Sequence, residues 1–272
     1  MIVQLPSNGL YGLRQVSLSM PKVGHLREVS SASYTEEQVR TEFVRLLVDG
    51  SGALFDKMTL YDRDYLFAIA ASAVCMNRIA VDFVCPHCKA MGKDVRCSTV
   101  YDISEMEVKV LAEGTPVNVE KSWGDFVVRY HIPCVSDEER IVAYALADYE
   151  HYVERYERAF MACIFGQDIS TPQAIDASIA VVDSYPLYVY FSGMLFNQML
   201  FHGVPSTCEG VCSVCGQSSR VIVPFGQAVT EMDSGRLINR FSQLTGVLSF
   251  SDFLDLSMPE LGQLEANLQA RR

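Results

Sequence analysis

The stretch Ile79-Ala-Val-Asp-Phe-Val-Cys-Pro-His-Cys88 decides how the chain is read. Residues Ile79 to Val84 alternate in the manner of a strand with one covered face. They run into a Cys-x-x-Cys turn, and a return strand is expected from Asp94 to Thr99. A second pair, Cys212-Ser-Val-Cys-Gly216, leads into a strand-like run from Ser219 to Phe225. Two cysteines three positions apart on a tight turn can grip one metal ion together, and Pro86 and Gly216 suit such turns. Each pair therefore reads as half of a zinc ribbon. Four thiolates satisfy the tetrahedral preference of Zn²⁺ and leave no open position for water. The expected centre is one structural Zn²⁺ held by Cys85, Cys88, Cys212 and Cys215, clipping together segments far apart in the chain and exchanging loop entropy for metal bonds.

The remaining cysteines bound this reading. Cys97 and Cys208 lie near the pairs and are candidates to replace one ligand. Cys75, Cys134 and Cys163 sit in apolar contexts and are expected to be buried packing residues, and His87 a solvent-facing spacer. Two metal-free readings stand beside the zinc centre: degenerate knuckles, or a redox pair of the thioredoxin kind. The latter places Cys-x-x-Cys at a helix N-terminus after a strand, which the hairpin reading disfavours. The cysteines number nine, so complete pairing as disulfides within one chain is impossible.

Composition narrows the partners. The chain has 272 residues, 49% hydrophobic and only 20% charged, enough for a sizeable core and unlike a disordered segment. Against 33 acidic residues stand 22 Lys and Arg, a net charge of −11. Such a surface repels phosphate backbones, so nucleic acid is not expected as the main partner. The most apolar stretch, Ile179 to Leu200, is interrupted by Asp183, Pro186 and Asn197, so no membrane partner is expected. The N-terminus has no basic segment followed by an apolar one, so no signal peptide is expected.

Outward from the cysteine pairs, the elements fall into two similar series. Residues 1–12 hold Pro6, Gly9 and Gly12 and read as an extended arm, expected to dock on a neighbouring subunit. Val16 to Met20 alternates as a strand that stops at Pro21. Thr35-Glu-Glu-Gln38 is a capping box opening a helix with Val39, Phe43, Leu46 and Leu47 on one face. Asp62 is the expected N-cap of a helix reaching Met76. Later, Gly114 to Lys121 reads as a connector, and Phe126 to Ile132 as a strand stopped by Pro133. Ser136-Asp-Glu-Glu139 is a second capping box, expected to open one long helix through Phe165. Thr171-Pro172 starts another helix, with proline where its missing N–H costs nothing. Pro186 to Phe201 is expected to be a buried helix, and residues 237–245, 251–256 and 258–270 short tail helices. Val16-Ser-Leu-Ser-Met-Pro-Lys-Val23 resembles Val128-Arg-Tyr-His-Ile-Pro-Cys-Val135, each followed by helices and a cysteine pair. The expected fold is α+β, two weakly repeated halves of helices and β-hairpins joined by a zinc-ribbon-like site of four cysteines. The boundaries are 1–12 for the arm, 13–113 and 114–228 for the halves, and 229–272 for a helical C-terminal tail.

Searches for catalytic signatures are empty. The chain has no Walker A loop, Gly-x-Ser-x-Gly, His-Glu-x-x-His or dinucleotide glycine pattern. No histidine is followed by glutamate two positions on, as zinc deaminases require. Acidic runs such as Asp137 to Glu139 suit first turns of helices. Tyr144, Tyr149, Tyr152 and Tyr156 recur at helical spacing, which suits core or a helix–helix surface. The chain is not expected to be an enzyme.

The order of parts resembles the baseplate hub subunits of contractile-tailed, T-even-type bacteriophages. Those proteins share a Leu-Pro-Ser-x-Gly arm leading to a strand, here Leu5-Pro-Ser-Asn-Gly9. A Leu-x-x-x-Asp-Arg-like segment before an apolar helix follows, here Thr59-Leu-Tyr-Asp-Arg63 into residues 65–76. Then come a strand and a Cys-Pro-x-Cys knuckle, here Cys85 to Cys88, and in larger members a late Cys-x-x-Cys-Gly, here Cys212 to Gly216. The resemblance is most specific over residues 1–105, and the helical stretch 136–182 departs from it. It implies a non-enzymatic virion protein of the tail baseplate, assembled in the host cytoplasm into a symmetric multi-subunit assembly. Its implied partners are other baseplate and hub proteins, tail tube and tape measure. The alternative is a zinc-ribbon adaptor of a nucleic-acid-processing complex, favoured locally by Lys89, Lys93, Arg96 and Arg220. A Cys-x-x-Cys oxidoreductase is a third reading.

Overall fold

The computed structural model describes residues 1–50, 52–75, 77–230, 239–244 and 247–270. The fold is α+β, a mixture of helices and small antiparallel sheets. In chain order the elements begin with β1 (Ile2–Gln4), β2 (Gln15–Leu18), α1 (Val23–Ser31), α2 (Glu36–Leu47), β3 (Val48–Asp49), α3 (Gly52–Phe55) and α4 (Leu60–Val74). The first cysteine hairpin follows as β4 (Arg78–Val84), α5 (Pro86–Ala90) and β5 (Arg96–Asp102), then β6 (Asn118–Trp123) and β7 (Phe126–His131). Four helices come next: α6 (Val135–Leu146), α7 (Tyr152–Ile164), α8 (Pro172–Asp183) and α9 (Leu187–Met199). The second cysteine hairpin, β8 (Thr207–Val211) and β9 (Ser218–Ile222), precedes α10 (Phe225–Thr230), α11 (Phe250–Asp255) and α12 (Met258–Gln269).

The chain divides into two compact units that interleave in sequence, which corrects the expected halves 13–113 and 114–228. Residues 1–18, 48–65 and 109–203 form the first, and 19–47, 66–108 and 204–272 the second. The expected boundaries at 12/13 and 228/229 are not unit boundaries either. Units are set by which apolar faces cover one another, and that choice is tertiary.

In the first unit, β1, β2 and β3 form an antiparallel sheet. The N-terminal residues are thus no free arm awaiting a neighbour. Ile2 to Gln4 pair with Gln15 to Ser17, and Val3, Leu5 and Leu10 are buried. Burial of these apolar side chains, with backbone pairing, fixes the segment on its own chain. The segment 114–121 is likewise not all connector, because β6 pairs with β7 from Asn118↔His131 to Trp123↔Phe126. The expected long helix is broken. Cys134, not Ser136, is the N-cap of α6, its N–H donating to Asp137 Oδ2 at 3.0 Å. After Leu146 the chain leaves helical geometry at Asp148, whose carboxylate takes the ring N–H of His151, before α7 begins. Local Asp–His bonding of this kind competes with helix propagation. The core of this unit joins Tyr130, Ile141, Phe165, Ile175 and Val189. Tyr144 is buried under the Arg155 guanidinium, whereas Tyr149 is largely exposed. Helix α9 is not the buried helix its composition suggests. Val189, Ser192 and Gly193 face inward, but Leu187, Tyr188, Phe191, Leu195 and Met199 are each at least half exposed.

In the second unit, α1 packs against α2, α10 and α11, and Phe43 meets the Phe67 ring edge-on at 5.9 Å. The capping box at Thr35 forms as expected, Thr35 Oγ1 accepting from Gln38 N and Gln38 Oε1 from Thr35 N. The two resembling stretches share one local device. Val23 and Val135 are the first helical residues of α1 and α6, each preceded by Pro-x, and each third-position side chain, His25 or Asp137, accepts the N-cap N–H. The expected helix 237–245 falls partly outside the described residues. Among the described residues no single helix is long and apolar enough to cross a membrane.

Candidate metal centre

The centre lies wholly within the second unit and is built by two hairpins. β4 pairs with β5 from Arg78↔Asp102 to Val84↔Arg96 and projects Cys85 at its end. β8 pairs with β9 from Thr207↔Ile222 to Val211↔Ser218 and projects Cys212 likewise. The two knuckles differ. Cys85 caps the short helix α5, with Lys89 N donating to Cys85 O at 3.0 Å. Cys-x-x-Cys at a short helix start, rather than in a plain hairpin turn, is a feature the sequence reading did not foresee. The second knuckle is a tight turn in which Gly216 N donates to Cys212 O at 2.9 Å and Gly216 has φ +70°. A left-handed backbone there suits glycine.

Packing brings the hairpins together. Ile79, Val81, Ile103, Val221 and Val223 form one apolar cluster, with Cys208 and Phe83 against it. A Cβ added at Gly210 would lie 2.6 Å from the Phe83 ring, so the close approach of β8 to Phe83 requires glycine.

The structure brings together Cys85, Cys88, Cys212 and Cys215, with all four Sγ atoms within 4.8 Å of one another. Cys85 Sγ lies 3.7 Å from Cys215 Sγ, and Cys88 Sγ 3.9 Å from Cys212 Sγ. A disulfide holds its sulfurs about 2.05 Å apart, so these are not bonded pairs. A tetrahedron with metal–sulfur bonds of about 2.3 Å places its sulfurs roughly 3.8 Å apart, and the quartet fits that spacing. Cys85, Cys88 and Cys212 are buried and Cys215 half-buried. Cys97 packs beside the quartet, Cys208 belongs to the adjoining apolar cluster, and His87 is exposed.

The electrostatics favour a cation. The backbone N–H groups of Cys215 and Val214 hold the Cys212 thiol down to about 6, while burial, followed by the neighbouring thiols, pushes Cys88 up to about 12. Burial, with the neighbouring thiols, thus opposes a second thiolate, and a divalent cation would offset that. The four cysteines can hold a metal ion.

Six residues of the first unit, not singled out as a site, form a buried polar knot. Thr59, Asp62, Arg63, Glu138, Ser7 and His202 are all buried. Thr59, not Asp62, caps α4: its Oγ1 accepts from Asp62 N at 3.0 Å and bonds His202 Nε2 at 2.8 Å. Asp62 instead accepts Ser7 N–H at 2.9 Å, and Arg63 pairs with Asp64 and Glu138. Thr59 to Arg63 is one of the stretches carrying the resemblance, but nothing local marks these polar residues as buried. The three cysteines expected to be core packing divide: Cys134 and Cys163 are buried, and Cys75 is half-buried. No family model matches the chain, and no curated protein or solved structure matches it.

Proposed function

We propose that the chain is a non-enzymatic assembly component of a contractile phage tail baseplate, in its hub region, working in the virion through protein–protein contacts. In this reading Cys85, Cys88, Cys212 and Cys215 hold one structural Zn²⁺. The observation that carries it is the quartet itself: four sulfurs at tetrahedral spacing, mostly buried, around an ion that would be closed to water and substrate. A closed centre rivets a scaffold and offers no Lewis acid. The uncovered apolar side chains of α9 suit a chain that finishes its burial against other subunits. Two of the stretches that carry the resemblance, Leu5 to Gly9 and Thr59 to Arg63, also meet through the Ser7–Asp62 bond.

Complementation tests the reading. In a phage lacking the gene, the wild-type chain is expected to restore baseplates, and a Phe191→Asp/Leu195→Asp variant that still folds and holds zinc is expected not to. Normal baseplates without the chain would overturn the assembly role. Tight, salt-sensitive DNA binding that is lost on removing Lys89, Lys93, Arg96 and Arg220, all exposed around the hairpins, would instead establish the adaptor reading.

A further inference from the structure

Away from the quartet, three ligand-bearing side chains of the first unit converge from three elements. They are His131 at the end of β7, Asp137 in the first turn of α6 and Cys163 near the end of α7. One ligand atom of each lies within 4.8 Å of those of the other two. His131 Nε2 is 2.9 Å from Asp137 Oδ2, and Cys134 Sγ is 3.1 Å from the same oxygen. The Tyr11 hydroxyl, donating to Ile132 O at 2.7 Å, lies 3.5 Å from His131 Nε2.

The donor atoms of this cluster can hold a cation. Asn118 presents Oδ1 to His131 Nδ1 at 3.0 Å, which places the ring proton on Nδ1. A ring carrying that proton alone turns the Nε2 lone pair to a carboxylate oxygen 2.9 Å away, a contact met either by a second ring proton or by a cation between the two atoms. A cation bound by both atoms removes the repulsion of their lone pairs, and an acceptor on the far nitrogen is how metal-bound histidines are oriented. Asp137 Oδ2 accepts both the N–H and the thiol of Cys134 while Arg140 Nη1 lies 3.3 Å from Oδ1, so a metal on Oδ2 would take the place of the Cys134 thiol proton. The Cys163 thiol is 2% exposed, faces this group, and makes no hydrogen bond among the described residues. One nitrogen, one oxygen and one sulfur ligand are the donors Zn²⁺ takes; in a tetrahedron they stand about 3.3–3.6 Å apart, so binding would open the 2.9 Å His131–Asp137 contact by about half an ångström.

We propose that His131, Asp137 and Cys163 form a second Zn²⁺ site, with Cys134 and Tyr11 beside its fourth position. The proposal is independent of the quartet and of the baseplate reading. The test is zinc stoichiometry of the full chain, loaded with Zn²⁺ under reducing conditions and freed of excess metal. Two ions per chain are expected in the wild type, and one each in Cys163→Ala and Cys212→Ser. Asn118→Ala, at an exposed position outside the core, is expected to weaken the second ion by about 10- to 100-fold in chelator competition, leaving the first unchanged. A single ion that Cys212→Ser abolishes and Cys163→Ala leaves in place would overturn the second site and keep the quartet. So would a wild-type chain that takes up only one ion, since a flipped Asn118 amide with His131 donating to Asp137 would then account for the cluster without metal.

Discussion

Asp62 Oδ1 accepts the backbone N–H of Ser7 at 2.9 Å, inside the protein and across 55 residues of chain. The bond belongs to a larger arrangement in which three residues of one helix turn each hold a different segment. Thr59 holds His202, Asp62 holds the N-terminal loop and Arg63 holds Glu138 on α6. The start of α4 thus adds polar anchors to the apolar burial and strand pairing that hold the N-terminal segment.

Removing that acceptor leaves a buried N–H unsatisfied. Asp62→Ala is expected to lose about 1–3 kcal/mol of stability and to expose residues 1–12 to limited proteolysis, whereas Asp62→Asn keeps an acceptor and is expected to protect them. Urea unfolding with a protease time course checks both, and equal protection in the alanine variant would refute the anchoring.

The Arg63–Glu138 pair is almost wholly buried, and Glu138 also accepts the Tyr156 hydroxyl at 2.9 Å. Breaking it from one side strands a charge in the interior. Arg63→Met or Glu138→Leu alone is expected to cost about 3–5 kcal/mol, with the double variant recovering much of the loss. A double-mutant cycle by chemical denaturation reads the coupling directly.

The contrast between these residues and the cysteines explains what sequence could disclose. Cys85, Cys88, Cys212 and Cys215 were legible because thiolate pairs at fixed spacing have few other uses, and their strands because Ile79 to Val84 alternate. Thr35 and Thr171 were legible because capping is local. Residues 1–12 read as an arm because Pro6, Gly9 and Gly12 mask the three-residue β1 that pairs with Gln15 to Ser17. Helix α9 read as buried because apolar composition does not say which faces are covered. His131, Asp137 and Cys163 share no spacing rule, being assembled from three elements. Residues 136–165 read as one helix because no Pro or Gly marks the break at Asp148.

His202 sets a pH response. Its Nδ1 faces Leu200 O at 2.9 Å and its Nε2 faces the Thr59 hydroxyl, so the ring sits neutral between a carbonyl and a hydroxyl. Burial pushes its pKa below the ordinary value despite Asp62, 3.8 Å away. The unfolded chain therefore takes up a proton near pH 6.5 that the folded chain refuses, and stability falls as pH drops below about 6.5, by at most about 1.4 kcal/mol per pH unit. Burial raises Asp62 instead, so in the acid range above its ordinary value the folded state holds the extra proton, and that group works against the His202 loss. Urea midpoints at pH 7.5, 6.5 and 5.5 are expected to decline more steeply in wild type than in His202→Gln. Parallel slopes would refute the assignment.

Gly210 and Phe83 offer a test of how the quartet is assembled. An added Cβ at Gly210 would press on the Phe83 ring at 2.6 Å, so either this half-buried ring or the strand must move. Gly210→Ala is therefore expected to push β8 from β4, costing about 1–3 kcal/mol and separating Cys212 and Cys215 from Cys85 and Cys88. Zinc retention against a chelator should fall with stability, although no ligand has changed. Phe83→Leu in the Gly210→Ala background removes the obstructing ring edge and is expected to restore metal retention towards wild type. Cys97→Ala, beside the quartet, is expected to leave the ion in place. Full zinc retention in Gly210→Ala would mean that the hairpins are held by the ion alone, with the strand packing following from it.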